Sequence, residues 1–265
     1  MDLNLSFYLN KISWVIQLKQ ICAEYPFVCT VLIFIISLYT AFIARNRRNT
    51  AKFILYFASC SLTITFISVL HLRWDSYSKF EILGMVSEII PPKSIHFIGD
   101  SHTAHGTLPM GFLSKLRSVL PNTKITQESY SGYTISEIFE TINKTKSSRK
   151  NSCITVIFAG TNDSVQNIPS AKSVNGMKKI LNMESKRSSE LFVIIPHSVN
   201  IPKFKKNCSM LTHALRSLSS SHNFKIIDWY KNSCGKEVRS NDKIHLNATG
   251  HTALAKLFVQ ALPQL

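Results

Sequence analysis

The stretch Phe97-Ile98-Gly99-Asp100-Ser101-His102 decides the fold of this chain. Its apolar residues predict a buried strand, and Gly-Asp-Ser predicts a tight turn directly after that strand. A serine in such a turn is a candidate nucleophile. A second stretch near the C-terminus, Asp242-Lys243-Ile244-His245, places an aspartate and a histidine three residues apart. We therefore interpret the chain as a serine hydrolase or acyltransferase.

Strand-like and helix-like segments alternate on both sides of this turn. Apolar runs of β-type composition are Ile95–Ile98, Lys124–Gln127, Ile154–Phe158, Leu191–Ile195 and Phe224–Asp228. Segments of helical periodicity are Leu108–Leu120, Ile135–Asn143, Ser173–Lys186, Lys206–Leu218 and Ala248–Leu262. This alternation predicts an α/β fold with a five-stranded parallel sheet, covered on both faces and flavodoxin-like in order. Sites in such sheets form at the carboxyl ends of the strands.

The candidate catalytic residues are Ser101, Asp242 and His245. A serine hydroxyl needs a base within hydrogen-bond reach before it can attack an ester. His245 can take the proton and return it to the leaving group, while Asp242 holds the imidazole and stabilises its charged form. The tetrahedral intermediate also needs hydrogen-bond donors. We assign that oxyanion hole to the backbone N–H groups of Ser101 and Gly132 and to the amide of Asn162.

These blocks resemble those of the SGNH (GDSL-type) hydrolase family. They read GDS at 99–101, Gly132, GTND at 160–163 and DKIH at 242–245, in the family's order. The resemblance covers residues 93–265. It implies a three-layer α/β/α fold and ester or acyl chemistry, with no metal and no other cofactor. A looser similarity links His102, directly after GDS, to SGNH domains of membrane acyltransferases that modify bacterial surface glycans, and a cysteine pair around the last strand adds to it.

The first 73 residues have a different composition. The runs 27–44 and 53–70 contain no charged residue, and each is close to the length of about 20 residues that crosses a bilayer. Between them, residues 45–52 carry four positive charges, which favours the cytoplasm for this loop. We expect a membrane anchor of two transmembrane helices, with the rest of the chain periplasmic or extracellular. Two buried core helices are the alternative. Residues 74–92 are expected to form a linker.

The net charge and the cysteines indicate which partners and which compartment suit the chain. The net charge of +16 suits either an anionic membrane or polymer, or simply a lysine-rich solvated surface. Scattered basic residues without a nucleic-acid motif argue against nucleic acid as a partner. Cys208 and Cys234 could form a disulfide in an oxidising compartment, and this stays open. No spacing of Cys and His typical of a zinc site occurs.

Several polar residues near these blocks receive structural interpretations. His102 and His105 are expected to be solvated loop histidines, with a role in lining the pocket as the alternative, and His197 is expected to be structural. Asp100 and Asp163 are expected to make local hydrogen bonds in turns. Sequons for N-glycosylation occur along the predicted domain, but two of them lie in the proposed site, which argues against glycan attachment. These sequons begin at Asn143, Asn162, Asn207 and Asn247.

Three functions are compatible with these residues. The first is an esterase that removes acyl groups, in particular acetyl, from an extracytoplasmic glycan or lipid. The second is an O-acyltransferase that modifies a cell-surface polysaccharide through the same triad, with a separate membrane protein as acyl donor. The third is a catalytically silent glycan-binding domain. The complete set of blocks argues against the third, because a silent domain has no need of a triad and three oxyanion donors.

Overall fold

The computed structural model describes residues 79–145, 151–196, 201–233 and 238–263. The predicted membrane anchor lies outside these ranges, as do the first residues of the predicted linker, His197 and Cys234. Within the described ranges, no helix has both the length and the apolar composition needed to cross a membrane.

Five parallel strands form one sheet, as the sequence predicts. Their order across the sheet is β2-β1-β3-β4-β5, which is the flavodoxin-like order. From β1 the chain moves first to β2 on one side and then to β3 on the other, so the strand order changes direction between β1 and β3. Doubly wound sheets bind their ligands at such a switch point. The strands are β1 (Ser94–Gly99), β2 (Lys124–Ser129), β3 (Ser152–Phe158), β4 (Ser188–Ile194) and β5 (Lys225–Ile227).

Helices cover both faces of this sheet and make the three-layer architecture. Side chains alternate along each strand, so Phe97 and Val156 enter one apolar core while Ile98 and Ile157 enter the other. The helices in chain order are α1 (79–86), α2 (Ser101–His105), α3 (Phe112–Val119), α4 (Ile135–Lys144), α5 (Thr161–Val165), α6 (Ser170–Glu184), α7 (Pro202–Ser219), α8 (Trp229–Ser233) and α9 (Ala248–Ala261). Helices α1, α3 and α9 contribute to the first core, and α4, α6 and α7 contribute to the second.

The described part of the predicted linker at 74–92 packs against the domain. Residues 79–86 form α1, whose Ile82 is fully buried in the first core together with Ile89. The N–H of Ile90 donates to the carbonyl of Pro263 at 3.1 Å, so this segment is also tied to the end of the domain. The following Pro91-Pro92 favours a connection in the sequence, although five of the eight residues 79–86 are apolar.

The cysteines of the described part lie inside or near the core. Cys208 is buried on α7 and Cys153 is half-buried at the start of β3. Since Cys234 lies outside the described residues, its disulfide with Cys208 stays a hypothesis.

Replacing Ile82 by Ala should lower the free energy of unfolding by about 2–5 kcal/mol, because a buried aliphatic side chain is lost from a packed core. Urea unfolding of a fragment that begins at residue 76 measures this change. Phe80→Ala is the matched control, since Phe80 is 73% exposed on the same helix and should cost less than about 0.5 kcal/mol. Equal effects of the two variants would contradict the packing of α1.

Candidate active site

The turn after β1 presents Ser101 at the carboxyl end of the sheet. Asp100 is the N-cap of α2, and its carboxylate accepts the N–H of His102 at 3.0 Å. Ser101 is thus the first residue of a helix, where a backbone N–H has no carbonyl partner within the helix. Gly99 is required by crowding, because a Cβ there would lie 2.1 Å from the side-chain oxygen of Thr103 and 2.2 Å from the carbonyl of Phe158.

Ser101, His245 and Asp242 lie in one hydrogen-bonded line. Nε2 of His245 is 2.8 Å from Oγ of Ser101, and Nδ1 of His245 is 2.5 Å from Oδ2 of Asp242. Since Asp242 accepts the hydrogen on Nδ1, the neutral imidazole has its lone pair on Nε2, facing the serine hydroxyl. The structure therefore brings the three predicted catalytic residues together in the geometry of a nucleophile, a base and a group that orients the base.

Asp242 is held by a short loop. Its Oδ1 accepts the hydroxyl of Ser240 at 2.7 Å and the N–H groups of Ile244 and His245, each at 2.9 Å. Lys243 takes a left-handed conformation with φ of 60°, which lets the chain fold back over the carboxylate. Burial acts to raise the pKa of Asp242, but the hydrogen bonds from His245 and its neighbours outweigh burial and hold that pKa well below its usual range. A carboxylate that stays ionised can stabilise an imidazolium.

The start of α9 fixes this loop to the domain. Asn247 is the N-cap and accepts the N–H of Gly250 at 2.8 Å. Its side-chain amide also donates to the carbonyl of Arg239 at 3.0 Å. Gly250 lies so close to the carbonyl of Val238 that a Cβ there would be 2.2 Å away. The His245 loop is therefore clamped between α9 and the segment before it.

The other predicted oxyanion donors lie on neighbouring loops. Gly132 has φ of +82°, which explains the glycine better than crowding does, since a Cβ there would meet nothing within 4 Å. The amide of Asn162 donates to the carbonyl of Tyr133 at 3.0 Å. An amide nitrogen carries two hydrogens, so one remains to bind a substrate oxyanion. The amide of Gln166 donates to the carbonyl of Gly132 at 3.1 Å, which helps to hold this loop.

Asp163 makes long-range hydrogen bonds instead of the local ones predicted for it. It is 1% exposed, and its two oxygens accept the N–H of Ile135 at 2.9 Å and the hydroxyl of Ser173 at 2.6 Å. Burial raises the pKa of Asp163 despite these donors. The carboxylate thereby joins the Asn162 loop to the starts of α4 and α6. Asp100 does make its predicted local bond, and burial raises its pKa to about 7.

Aromatic and histidine rings surround His245. The ring of His105 lies 4.3 Å from that of His245 between centroids, and the ring of His102 lies 5.4 Å away. His102 is 1% exposed and stacks on Phe158, so its interpretation as a solvated loop residue is wrong. Both histidines belong to α2, one and four positions after Ser101, so a single helical turn places them beside the site.

Sequence reasoning missed His251. It is 5% exposed on α9, and its ring stacks against Phe112 at 6.1 Å. Burial, and to a smaller extent the charges of His105, Lys115 and His245, lower its pKa to about 3. The sequence could have indicated that His251 is buried, because it lies four residues after an N-cap and on the apolar side of a predicted helix. Within the described ranges, no group of three or more His, Cys, Asp or Glu side chains is placed to hold a metal ion.

A doubly wound sheet with a Ser-His-Asp line at its carboxyl end defines an ester hydrolase of the α/β/α class. The family model of the GDSL-like lipase/acylhydrolases matches residues 97–253, and the chain belongs to that family. A comparison with curated proteins found no match.

Solved structures of this family share the fold. A lipolytic protein of the G-D-S-L family from Veillonella parvula has 17% identity and a TM-score of 0.57, covering 63% of this chain and 97% of its own. A lipase/acylhydrolase from Enterococcus faecalis has 21% identity and a TM-score of 0.53, covering 63% and 94%. An acetylxylan esterase from Geobacillus stearothermophilus has 14% identity and a TM-score of 0.53, covering 65% and 95%.

Ser101→Ala and His245→Ala should each lower kcat for p-nitrophenyl acetate by more than about 10⁴-fold, and the double variant should be little worse than either, because the two residues act as a unit. Asn162→Ala should lower kcat by about 100–1000-fold, since one of three oxyanion donors is lost. Asn182→Ala is the control, because Asn182 is exposed on α6. Wild-type activity in Ser101→Ala would refute the nucleophile assignment.

His251 should make the domain less stable in mild acid. The pKa of His251 in the folded state lies below its unfolded value of about 6.5. As pH falls, the unfolded chain therefore binds a proton at this residue that the folded chain does not bind. Stability due to His251 is complete above pH 6.5 and falls by about 2 kcal/mol on reaching pH 5. Urea unfolding at both pH values should show this loss in wild type and in the exposed control His213→Gln, but not in His251→Gln. Parallel losses in all three proteins would contradict it.

Proposed function

We propose that the chain is a serine esterase that hydrolyses acyl esters, in particular acetyl esters, on a glycan or lipid outside the cytoplasm. The observation that carries this proposal is the hydrogen-bonded line from Ser101 through His245 to Asp242, with the Asn162 and Gly132 loop beside it. Membership of the family makes the chain an ester-bond hydrolase. The acetyl group, the glycan or lipid and the compartment are the finer parts of the proposal.

Acylation of Ser101 is the first half of the reaction. Its hydroxyl donates to Nε2 of His245, so the proton moves to that nitrogen as Oγ bonds to the ester carbonyl carbon. The carbonyl oxygen becomes an oxyanion, which the N–H groups of Ser101 and Gly132 and the amide of Asn162 stabilise. The imidazolium then returns its proton to the alcohol oxygen as the ester bond breaks. Asp242 stabilises the imidazolium throughout.

Hydrolysis of the acyl-enzyme is the second half. Water gives a proton to Nε2 of His245 and attacks the acyl carbon, and the same donors stabilise the second oxyanion. Collapse of this intermediate returns the proton to Oγ of Ser101 and releases a carboxylic acid. No metal is needed in this scheme, because the backbone and amide donors carry the developing charge.

Two observations support a small acyl group on a carbohydrate. Structures of similar fold include two acetylxylan esterases, one of them from Geobacillus stearothermophilus. The loop that carries Gly132 also ends in an exposed tyrosine, Tyr133, which suits a sugar ring.

An O-acyltransferase is the second candidate, supported by the looser similarity of His102, directly after the nucleophile, to SGNH domains of surface-glycan acyltransferases. A sugar hydroxyl would replace water in the second half of the reaction, and a separate membrane protein would supply the acyl group. A silent glycan-binding domain is disfavoured by the aligned triad.

Location outside the cytoplasm is proposed from sequence. The uncharged runs at 27–44 and 53–70 and the four positive charges of the loop at 45–52 support a membrane anchor with its loop in the cytoplasm. Anchoring would keep the enzyme beside membrane lipids and surface glycans.

A fragment that begins at residue 76 should release p-nitrophenol from p-nitrophenyl acetate, and the same fragment with Ser101→Ala should not. Release should fall as the acyl chain lengthens from acetate to octanoate if the natural substrate is an acetyl ester. Preference for octanoate would indicate a lipase. Release equal to that of the variant would refute hydrolysis, and product formed only with an added sugar acceptor would indicate the transferase.

Alkaline phosphatase fused after Leu262 should be active in a bacterial host, because that reporter needs the oxidising conditions outside the cytoplasm. The same reporter inserted after Arg48 is the control and should be inactive, since the basic loop is expected in the cytoplasm. The reverse pattern, or activity at neither position, would contradict the proposed location.

A further inference from the structure

Tyr133 is an exposed aromatic side chain beside the oxyanion hole. It is 40% exposed, and its ring stacks on that of Tyr130 with centroids 5.6 Å apart and an angle of 23° between the planes. The hydroxyl of Tyr130 donates to Glu128 at 3.3 Å, which fixes the orientation of the inner ring. The pair therefore forms a supported platform, with Tyr130 behind and Tyr133 facing solvent.

A tight turn joins this platform to the reacting groups. The N–H of Tyr133 donates to the carbonyl of Tyr130 at 3.2 Å, and Gly132 between them has the positive φ that a type II turn needs at its third residue. The N–H of Tyr130 donates to the carbonyl of Gly99 at 2.9 Å, two residues before Ser101. The carbonyl of Tyr133 accepts the amide of Asn162. The same hydrogen bonds that position the oxyanion donors thus position the two rings.

The surroundings of the platform suit a sugar better than a fatty chain. Two polar residues beside it, Ser131 in the turn and Gln166 bonded to Gly132, are exposed. A pyranose ring presents C–H groups on its faces and hydroxyl groups at its edge, so it can stack on a tyrosine while its edge meets polar side chains. Tyrosine offers a large rigid contact of mixed polarity at low entropic cost. A long acyl chain would need a continuous apolar channel.

We propose that Tyr133, supported by Tyr130, is a subsite that binds a sugar ring of the substrate while its ester lies at Ser101. This inference rests on the proposed esterase function and names the carbohydrate as the part of the substrate recognised outside the reacting ester. Tyr133 acts in binding and takes no part in proton transfer.

The test compares two substrates with the purified full-length chain. Tyr133→Ala should lower kcat/KM for a partially O-acetylated oligosaccharide by about 3- to 10-fold, chiefly through KM, which is the range expected for one aromatic stacking contact. It should lower kcat/KM for p-nitrophenyl acetate by a clearly smaller factor, because that ester carries no sugar. Tyr133→Phe should retain most of the activity on the oligosaccharide. Phe80→Ala, which removes an exposed ring elsewhere, is the control.

Three outcomes would overturn the subsite. An equal fall for both substrates would mean that Tyr133 only supports the oxyanion hole. No change for either substrate would mean that the ring meets no substrate. A fall confined to p-nitrophenyl octanoate would assign the platform to an acyl chain.

Binding measurements separate this proposal from the proposed function. Titration of the Ser101→Ala chain with the non-acetylated oligosaccharide should show binding that Tyr133→Ala weakens by the same factor. If wild type hydrolyses no ester but this binding is seen, the esterase proposal fails and the subsite stands. If hydrolysis of the oligosaccharide ester depends on Ser101 but this binding is absent or insensitive to Tyr133, the subsite fails and the esterase proposal stands.

Discussion

Catalysis requires the hydrogen bond between Ser101 and His245, and the packing of the domain must keep these two residues within reach of each other. The two residues are 144 positions apart, yet the bond of 2.8 Å tolerates little displacement of either. Ser101 is placed by β1 and α2, while His245 is placed by a loop clamped to the start of α9. Both α9 and β1 pack into the same apolar core, so that core holds the two halves of the site in register.

Buried carboxylates extend this arrangement to the oxyanion side. Burial destabilises the ionised form of Asp163 and so raises its pKa. Hydrogen bonds from Ile135 on α4 and Ser173 on α6 offset part of this cost. Those bonds hold the loop on which Asn162 lies and the start of the helix that follows Gly132. Asp163 takes no part in the reaction, but it holds the two oxyanion donors Gly132 and Asn162 in position relative to each other.

Much of the fold could be predicted because the relevant signals are local. Strand composition and the Gly-Asp-Ser turn identify β1, and the order of the blocks brings Ser101 and His245 to one edge of a parallel sheet. Partners that depend on tertiary contact could not be predicted. Asp163 bonds to a residue 28 positions away, His102 is buried by Phe158, and α1 packs through Ile82, whose neighbours in sequence are polar or exposed. The positive φ that requires a glycine at position 132 is likewise a property of the folded loop.

The contact between Ile90 and Pro263 has a topological consequence. It brings the segment between α1 and β1 next to the segment that follows α9, at the amino end of β1, whereas Ser101 and His245 lie past the carboxyl ends of the strands. A polypeptide attached after Pro263 would therefore leave the domain at the end of the sheet opposite the reacting groups.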